Sequence, residues 1–210
     1  MIVVGIDLAG SPKRITGVCT LNGKRITSFA TLFSDDEIVN YVKKSIPDII
    51  AIDAPLNLPP GRKTIEDRNG EHFRPCDREL HRRGIRFFPI TLGPMRSLTK
   101  RGILLKKRFN RLGFKVIEIY PGAAQDIWRI PRKQFGLGRL RRGLERRDIK
   151  GLERGMNGDE LDAVSGAVVG QLFLQGKAEI LGNFRQGAIV VPFPVKKHVR
   201  TKGKLYESNS

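Results

Sequence analysis

The chain has 210 residues and 40% apolar composition, enough for one well-buried core with insertions and too apolar for a disordered chain. No apolar run approaches the roughly 20 residues that span a bilayer, so no membrane partner is expected. With 39 Lys and Arg against 21 Asp and Glu, the net charge is +18 and the pI about 10.5. The clustering of that charge points to a polyanionic partner, DNA or RNA, against the alternative of a generally basic surface.

The opening "IVVGIDLAG" (2–10) reads as a buried strand ending in a Gly-rich turn. It carries no basic leader or cleavage site, so no signal peptide is expected. Two β-rich runs around Asn22-Gly23 form a hairpin signal, which predicts a three-strand antiparallel meander. "SDDEIVNYVKKS" begins with Ser34 and has Glu37 three positions on, a capping box leading an amphipathic helix. "DIIAIDAPLNLPPG" is a fourth strand stopped by Pro55, Pro59 and Pro60. Residues 61–93 are charged and irregular, with a short helix in "CDRELHRRG". A basic helix over 95–113, the strand "FKVIEIYP" and the short helix "GAAQDIWRI" follow. The Gly-punctuated basic stretch "PRKQFGLGRLRRGLERRDIKGLERG" reads as an exposed excursion. The helix "NGDELDAVSGAVVG" and a last short strand, "GAIVVPFP", close the order. A meander followed by alternating strands and helices implies a mixed sheet with helices on its faces. Residues 1–195 form one domain with insertions at about 56–94 and 122–156, and 196–210 form a basic tail. Two cysteines, Cys19 and Cys76, are too few for a disulfide scaffold and fit a reducing cytoplasm.

Three strands carry an acid among apolar neighbours near their ends: Asp7, Asp53 and Glu118. An unpaired buried carboxylate costs several kcal/mol, so each position needs compensation. Ligands gather at the carboxyl ends of parallel strands. In the last helix Asp159 and Asp162 share a face, and Asp162 lies in line with Gly166, Ala167 and Gly170, small residues that let that face approach the sheet. The acids would then converge, and hard divalent cations resolve the repulsion of such a cluster. Two ions of Mg²⁺ or Mn²⁺ held there would suit phosphodiester hydrolysis. Each acid also has a structural reading: Asp7 in a turn, Asp53 in an Asx-turn, Glu118 beside a buried arginine, Asp159 at a helix cap.

This order of elements and acids resembles the ribonuclease H-like superfamily, and the "DELDA" helix start resembles its resolvase-like members. The motifs "GIDLAGS", "IDAPL", "RPCDRELHRRGI", "IEIYPGAA", "DELDA" and "EILGNFRQGAIVVPFP" resemble the prokaryotic family called domain of unknown function 429, predicted nucleases of that fold. The resemblance runs over residues 2–194. It implies a ribonuclease H-like sheet, with Asp7, Asp53 and Asp162 as the metal core and Asp159 as an auxiliary. Glu118 lies on a strand that often lacks a catalytic acid in other members.

His72, Cys76 and His81 stand close together, but zinc wants four ligands and the spacing fits no standard finger. Arg74, Arg78, Arg82 and Arg83 are candidates for phosphate contacts, as are Arg139, Arg141 and Arg142 in the second basic stretch. Phe135 suits base stacking, and Trp128 suits the core. No Ser-His-Asp or Cys-His arrangement is supported.

The reading is a metal-dependent nuclease in which Asp7 bridges two ions, Asp53 and Asp162 hold one each, and Asp159 and Glu118 assist. A non-catalytic nucleic-acid binder and an enzyme of small phosphate esters or nucleotides are the alternatives. Cleavage of a branched junction would favour a dimer, although no interface is legible.

Overall fold

Two runs of β-branched residues, "IVVGID" and "IIAID", form the centre of the molecule. The computed structural model describes residues 1–68 and 70–194; the expected basic tail, with His198, lies outside the described residues. Strands β1 (Ile2–Asp7), β2 (Thr16–Asn22) and β3 (Arg25–Leu32) make the expected antiparallel meander, turning at Gly23 with φ +58°. Helix α1 (Asp35–Ser45) carries the expected capping box between Ser34 and Glu37. Strand β4 (Ile49–Asp53) then pairs parallel to β1. Helices α2 (Pro75–Arg82) and α3 (Gly93–Arg111) precede β5 (Val116–Glu118), which pairs parallel to β4. The five-stranded mixed sheet therefore has the order β3-β2-β1-β4-β5, the expected antiparallel meander joined to parallel strands. Helix α4 (Pro121–Trp128), a 3-10 turn (Lys133–Phe135), α5 (Leu137–Glu145) and α6 (Gly158–Leu174) follow, then a hairpin of β6 (Ala178–Asn183) and β7 (Gly187–Pro192).

Side chains alternate across β1, so Val3 enters one core and Val4 and Ile6 the other. The second core is closed by Ile38, Val39 and Val42 of α1 and by Leu105 and Phe109 of α3. Helix α6 covers the opposite face at unusually short range. A Cβ built on Gly5 would stand 2.0 Å from the Ala163 carbonyl oxygen, and one on Gly17 2.3 Å from the Asp159 carbonyl oxygen. From the helix side, a Cβ on Gly166 would meet Ile119 at 2.9 Å and one on Gly170 would meet Val3 at 2.7 Å. The stripe of small residues thus has a complementary pair of glycines on the strands. Together they bring the first turn of α6 against the ends of β1 and β2.

Two expectations are corrected. The basic stretch after α4 is not an exposed excursion: Leu140, Gly143 and Leu144 of α5 are buried, and both leucines join the α6 core with Ile149 and Met156. The last strand is not single: β6 precedes it, and β7 touches the end of β5 through a bridge between Ile119 and Val190. Trp128 packs in the core as expected, under the Arg147 guanidinium, 4.3 Å from the ring centre. Among the described residues no helix is long and apolar enough to cross a membrane.

Candidate active site

Asp7 and Asp53 are register partners at the ends of the parallel strands β1 and β4. Both alternate onto the α6 face, two residues beyond Gly5 and Ala51. Proline two positions after Asp53 stops β4, and Arg101 fixes the segment after Asp7. That arginine is 6% exposed; it donates to the Ala9 carbonyl at 2.8 Å, the Phe33 carbonyl at 2.6 Å and Asp35 Oδ1 at 2.7 Å. Asp159 and Asp162 come from the first turns of α6, which Asn157 and Glu160 cap reciprocally. Asp159 is therefore not the cap itself. The close packing of α6 on Gly5 and Gly17 carries both aspartates to the strand ends, so the structure brings Asp7, Asp53, Asp159 and Asp162 together.

At their centre stands a residue that the sequence did not single out. The Lys133 ammonium lies 3.1 Å from Asp7 Oδ2, 2.7 Å from Asp159 Oδ1 and 3.0 Å from Asp162 Oδ2. Asp162 Oδ1 accepts from the Gln125 amide at 2.7 Å, and the same amide nitrogen lies 3.1 Å from Ser165 Oγ. Asp53 has no hydrogen-bond or ion-pair partner among the described residues. Burial raises the Asp7 pKa to about 7, with Lys133 opposing and Asp162 and Asp159 adding to the rise. Burial, then Asp7 and Asp162, push Asp53 well above the usual carboxylate range. Burial also raises Asp162, against Lys133 and Gln125. For Lys133, burial works against the charge, but Asp7 and Asp162 outweigh it and its pKa rises. These raised values mean that the metal-free cluster holds protons, which a divalent cation bound by the same acids would displace.

The donor set is all oxygen, the chemistry of Mg²⁺ or Mn²⁺. Asp53 and Asp7 Oδ1 are uncommitted. Among the described residues no three His, Cys, Asp or Glu side chains form a ready-made metal cage. The acids match a hard cation in chemistry, with an ammonium in the space between three of them.

Glu118 lines the same cavity as Asp7, Asp53 and Asp162 and its charge reaches Asp53, but its carboxylate is engaged elsewhere. It lies in register with Ile52, whose side chain enters the core of α1 and α3, so alternation sends it to the face opposite Asp53. There Arg74 donates to Glu118 Oε1 and Oε2 at 2.8 Å each, and the Leu56 N–H donates to Oε2 at 2.8 Å. Arg74 also donates to both oxygens of Asp77. Arg74 is thus corrected from a phosphate contact to a buried structural ion pair, 1% exposed. The structural reading of Glu118, partner to a buried arginine, is the one observed. Burial keeps its pKa raised despite Arg74.

The remaining arginines are on the surface. Arg78 pairs with Glu71, Arg82 with Glu79, and Arg83 with Glu179 at 2.5 Å. Arg141 is half-buried and donates to the Arg154 carbonyl at 3.2 Å. Arg139 and Arg142 are exposed on α5 with no carboxylate partner among the described residues. Helix α5 starts beside the site, because a Cβ on Gly158 would meet Leu137 at 3.4 Å. Phe135 is 63% exposed in the same turn as Lys133. His72 and His81 are exposed while Cys76 is buried, so the three do not converge.

Two cavities meet at the acids. One of about 460 Å³ reaches Asp7, Asp53 and Asp162 between walls of Phe87, Phe88 and Met95. A second of about 430 Å³ lies beyond Asp7, Lys133 and Asp159, with Gly10, Ser11 and Arg14 on its rim. Asp7 and Lys133 line both cavities.

No protein-family model matches the chain, and no curated protein matches it. Among solved structures, the Thermus thermophilus RuvC structure is similar at 13% identity and a TM-score of 0.47, over 84% of this chain and 97% of that one. T. thermophilus RuvC in complex with Holliday junction substrate is similar at 13% identity and a TM-score of 0.46, over the same shares.

Proposed function

We propose that this protein is a metal-dependent nuclease that hydrolyses phosphodiester bonds of nucleic acid. The observation that carries the reading is the convergence of Asp7, Asp53, Asp159 and Asp162 at the ends of β1, β4 and α6, inside a chain of net charge +18. Acids at the centre and cations around them divide the work that cleavage of a polyanion requires. Asp7, Asp53 and Asp162 are the residues that would hold the metal. When bound, a divalent cation supplies an activated water and charge stabilisation at the leaving oxygen.

The chain's own residues do the rest. Gln125 fixes the orientation of Asp162, and Asn157 and Glu160 hold the α6 terminus that carries it. Lys133 keeps Asp7, Asp159 and Asp162 within one ammonium's reach of each other. The two cavities that share Asp7 and Lys133 leave room for substrate beside the acids. Phe88, 71% exposed at one side, and Phe135 offer faces on which bases can stack. Arg139 and Arg142 offer charge to phosphates.

The test is cleavage of labelled single strand, duplex, hybrid and four-way junction in Mg²⁺, Mn²⁺ or EDTA, beside Asp7→Asn and Asp162→Asn. Cleavage that needs metal and is lost in both variants is the expected result. Tight, salt-sensitive binding without cleavage would instead make the chain a binding protein on this scaffold. Neither binding nor cleavage would direct attention to small phosphate esters, which the 460 Å³ cavity is large enough to hold.

A further inference from the structure

The geometry points to a site in which Lys133 stands where a second cation would otherwise sit, so that the acids take a single divalent ion, on the side of Asp7 and Asp53. The inference rests on the assignment of these acids to metal in the proposed nuclease.

Three observations carry it. First, the Lys133 ammonium donates to Asp159 at 2.7 Å and to Asp7 at 3.1 Å and forms an ion pair with Asp162 at 3.0 Å. The oxygens come from β1 and from two turns of α6, so the Lys133 nitrogen occupies the space these acids enclose. Second, the place is built for the lysine. Gly158 opens α6, and a Cβ there would lie 2.9 Å from Lys133 Cδ and 3.6 Å from its Cβ. Without a side chain at that position, the lysine stem passes directly over the helix start. Third, the acid oxygens divide into two groups. Asp162 spends one oxygen on Lys133 and the other on Gln125, and Asp159 spends Oδ1 on Lys133. Asp7 Oδ1 and both oxygens of Asp53 are uncommitted, and these two residues are neighbours in register. Asp159 Oδ2 is uncommitted as well, but that side chain is 38% exposed against 14% for Asp7; the uncommitted oxygens at the strand ends are those of Asp7 and Asp53.

Lys133 is then a positioning residue. It replaces the charge of one ion with a fixed ammonium, holds Asp159 and Asp162 in place, and leaves the cation requirement at one per chain. The Lys133 nitrogen stands within 2.7–3.1 Å of one oxygen of each of these acids, so a cation at that position would have to displace it.

The experiment is titration of Mn²⁺ into EDTA-stripped protein without nucleic acid, counting bound ions and recording the electron paramagnetic resonance spectrum. Wild type should bind one Mn²⁺ per chain with the six-line signal of an isolated ion. Asp53→Asn should bind it more than 10-fold more weakly. Lys133→Met should take two ions and show the signature of exchange coupling between them. Circular dichroism checks that each variant folds; if Lys133→Met does not, the wild-type count and Asp53→Asn decide alone. Two coupled ions in wild type, one ion in both wild type and Lys133→Met, no ion in either, or unchanged affinity in Asp53→Asn would each overturn the inference. Because no nucleic acid is present, an ion count that holds while the cleavage panel fails would refute the nuclease reading and leave this one standing.

Discussion

Replacing Arg74 with methionine should cost the protein about 3–5 kcal/mol, because it would strand two buried carboxylates. The guanidinium makes two bonds to Glu118 and two to Asp77, all between 2.8 and 3.1 Å, and the three residues are 1%, 5% and 1% exposed. The penalty should depend on pH. Glu118 already has a pKa above the usual carboxylate value, since burial outweighs Arg74, and loss of Arg74 raises it further. A carboxyl whose folded pKa is raised is penalised increasingly above its unfolded pKa and not at all below it, so the deficit should be larger at pH 8 than at pH 5. Adding Glu118→Gln should recover part of the loss, because the uncompensated charge is gone. Urea unfolding at pH 5 and pH 8 compares wild type with both variants. A deficit under about 1 kcal/mol at pH 8, or one that grows as pH falls, would refute the buried-pair account and reopen Glu118 as a site acid.

Gly5→Ala should destabilise the fold by about 3 kcal/mol or more, since the new Cβ would stand 2.0 Å from a backbone oxygen of α6 and backbone cannot rotate away. A melting temperature within 2–3 °C of wild type, a shift of about 1 kcal/mol at this size, would contradict the close packing. Asp7→Asn should stabilise the metal-free protein above pH 7, where the wild-type carboxyl is forced to ionise. The rise from 3.8 to about 7 sets an upper bound of about 4 kcal/mol, and the gain should vanish below pH 4, where both side chains are neutral. Denaturant curves in EDTA across that range check it; equal stability at pH 8 would refute it.

The fold was legible where local signals carry it. Short apolar runs stopped by Gly or Pro marked β1 and β4, Asn22-Gly23 marked the hairpin, and Ser34 with Glu37 marked the start of α1. Asp7, Asp53 and Asp162 were legible because a carboxylate in an apolar run or beside a small-residue stripe is costly without a purpose. Glu118 looked the same, yet its role follows from strand register, and a one-residue slip sends a side chain to the other face. Arg74 reads in sequence as one more surface cation. Its burial depends on Glu118, 44 residues away. Lys133 lies 126 residues from Asp7 in a run of cations and carries no local mark at all. Helix α5 was within reach: Leu137, Leu140 and Leu144 repeat at helical spacing in "LGRLRRGLE", but the arginines between them suggested an exposed stretch.

The central claim is that the aspartate cluster cleaves phosphodiesters with the help of a divalent cation, and Asp53 tests it most directly because no protein group depends on its charge. The measurement is the rate of Mn²⁺-dependent cleavage by Asp53→Asn against wild type, with nucleic-acid binding in EDTA measured on the same samples. Loss of even an outer-shell partner typically costs 10–100-fold, so removing a ligand should cost more than about 100-fold while binding stays unchanged. Equal rates in the two proteins, or cleavage that persists in EDTA, would contradict the account.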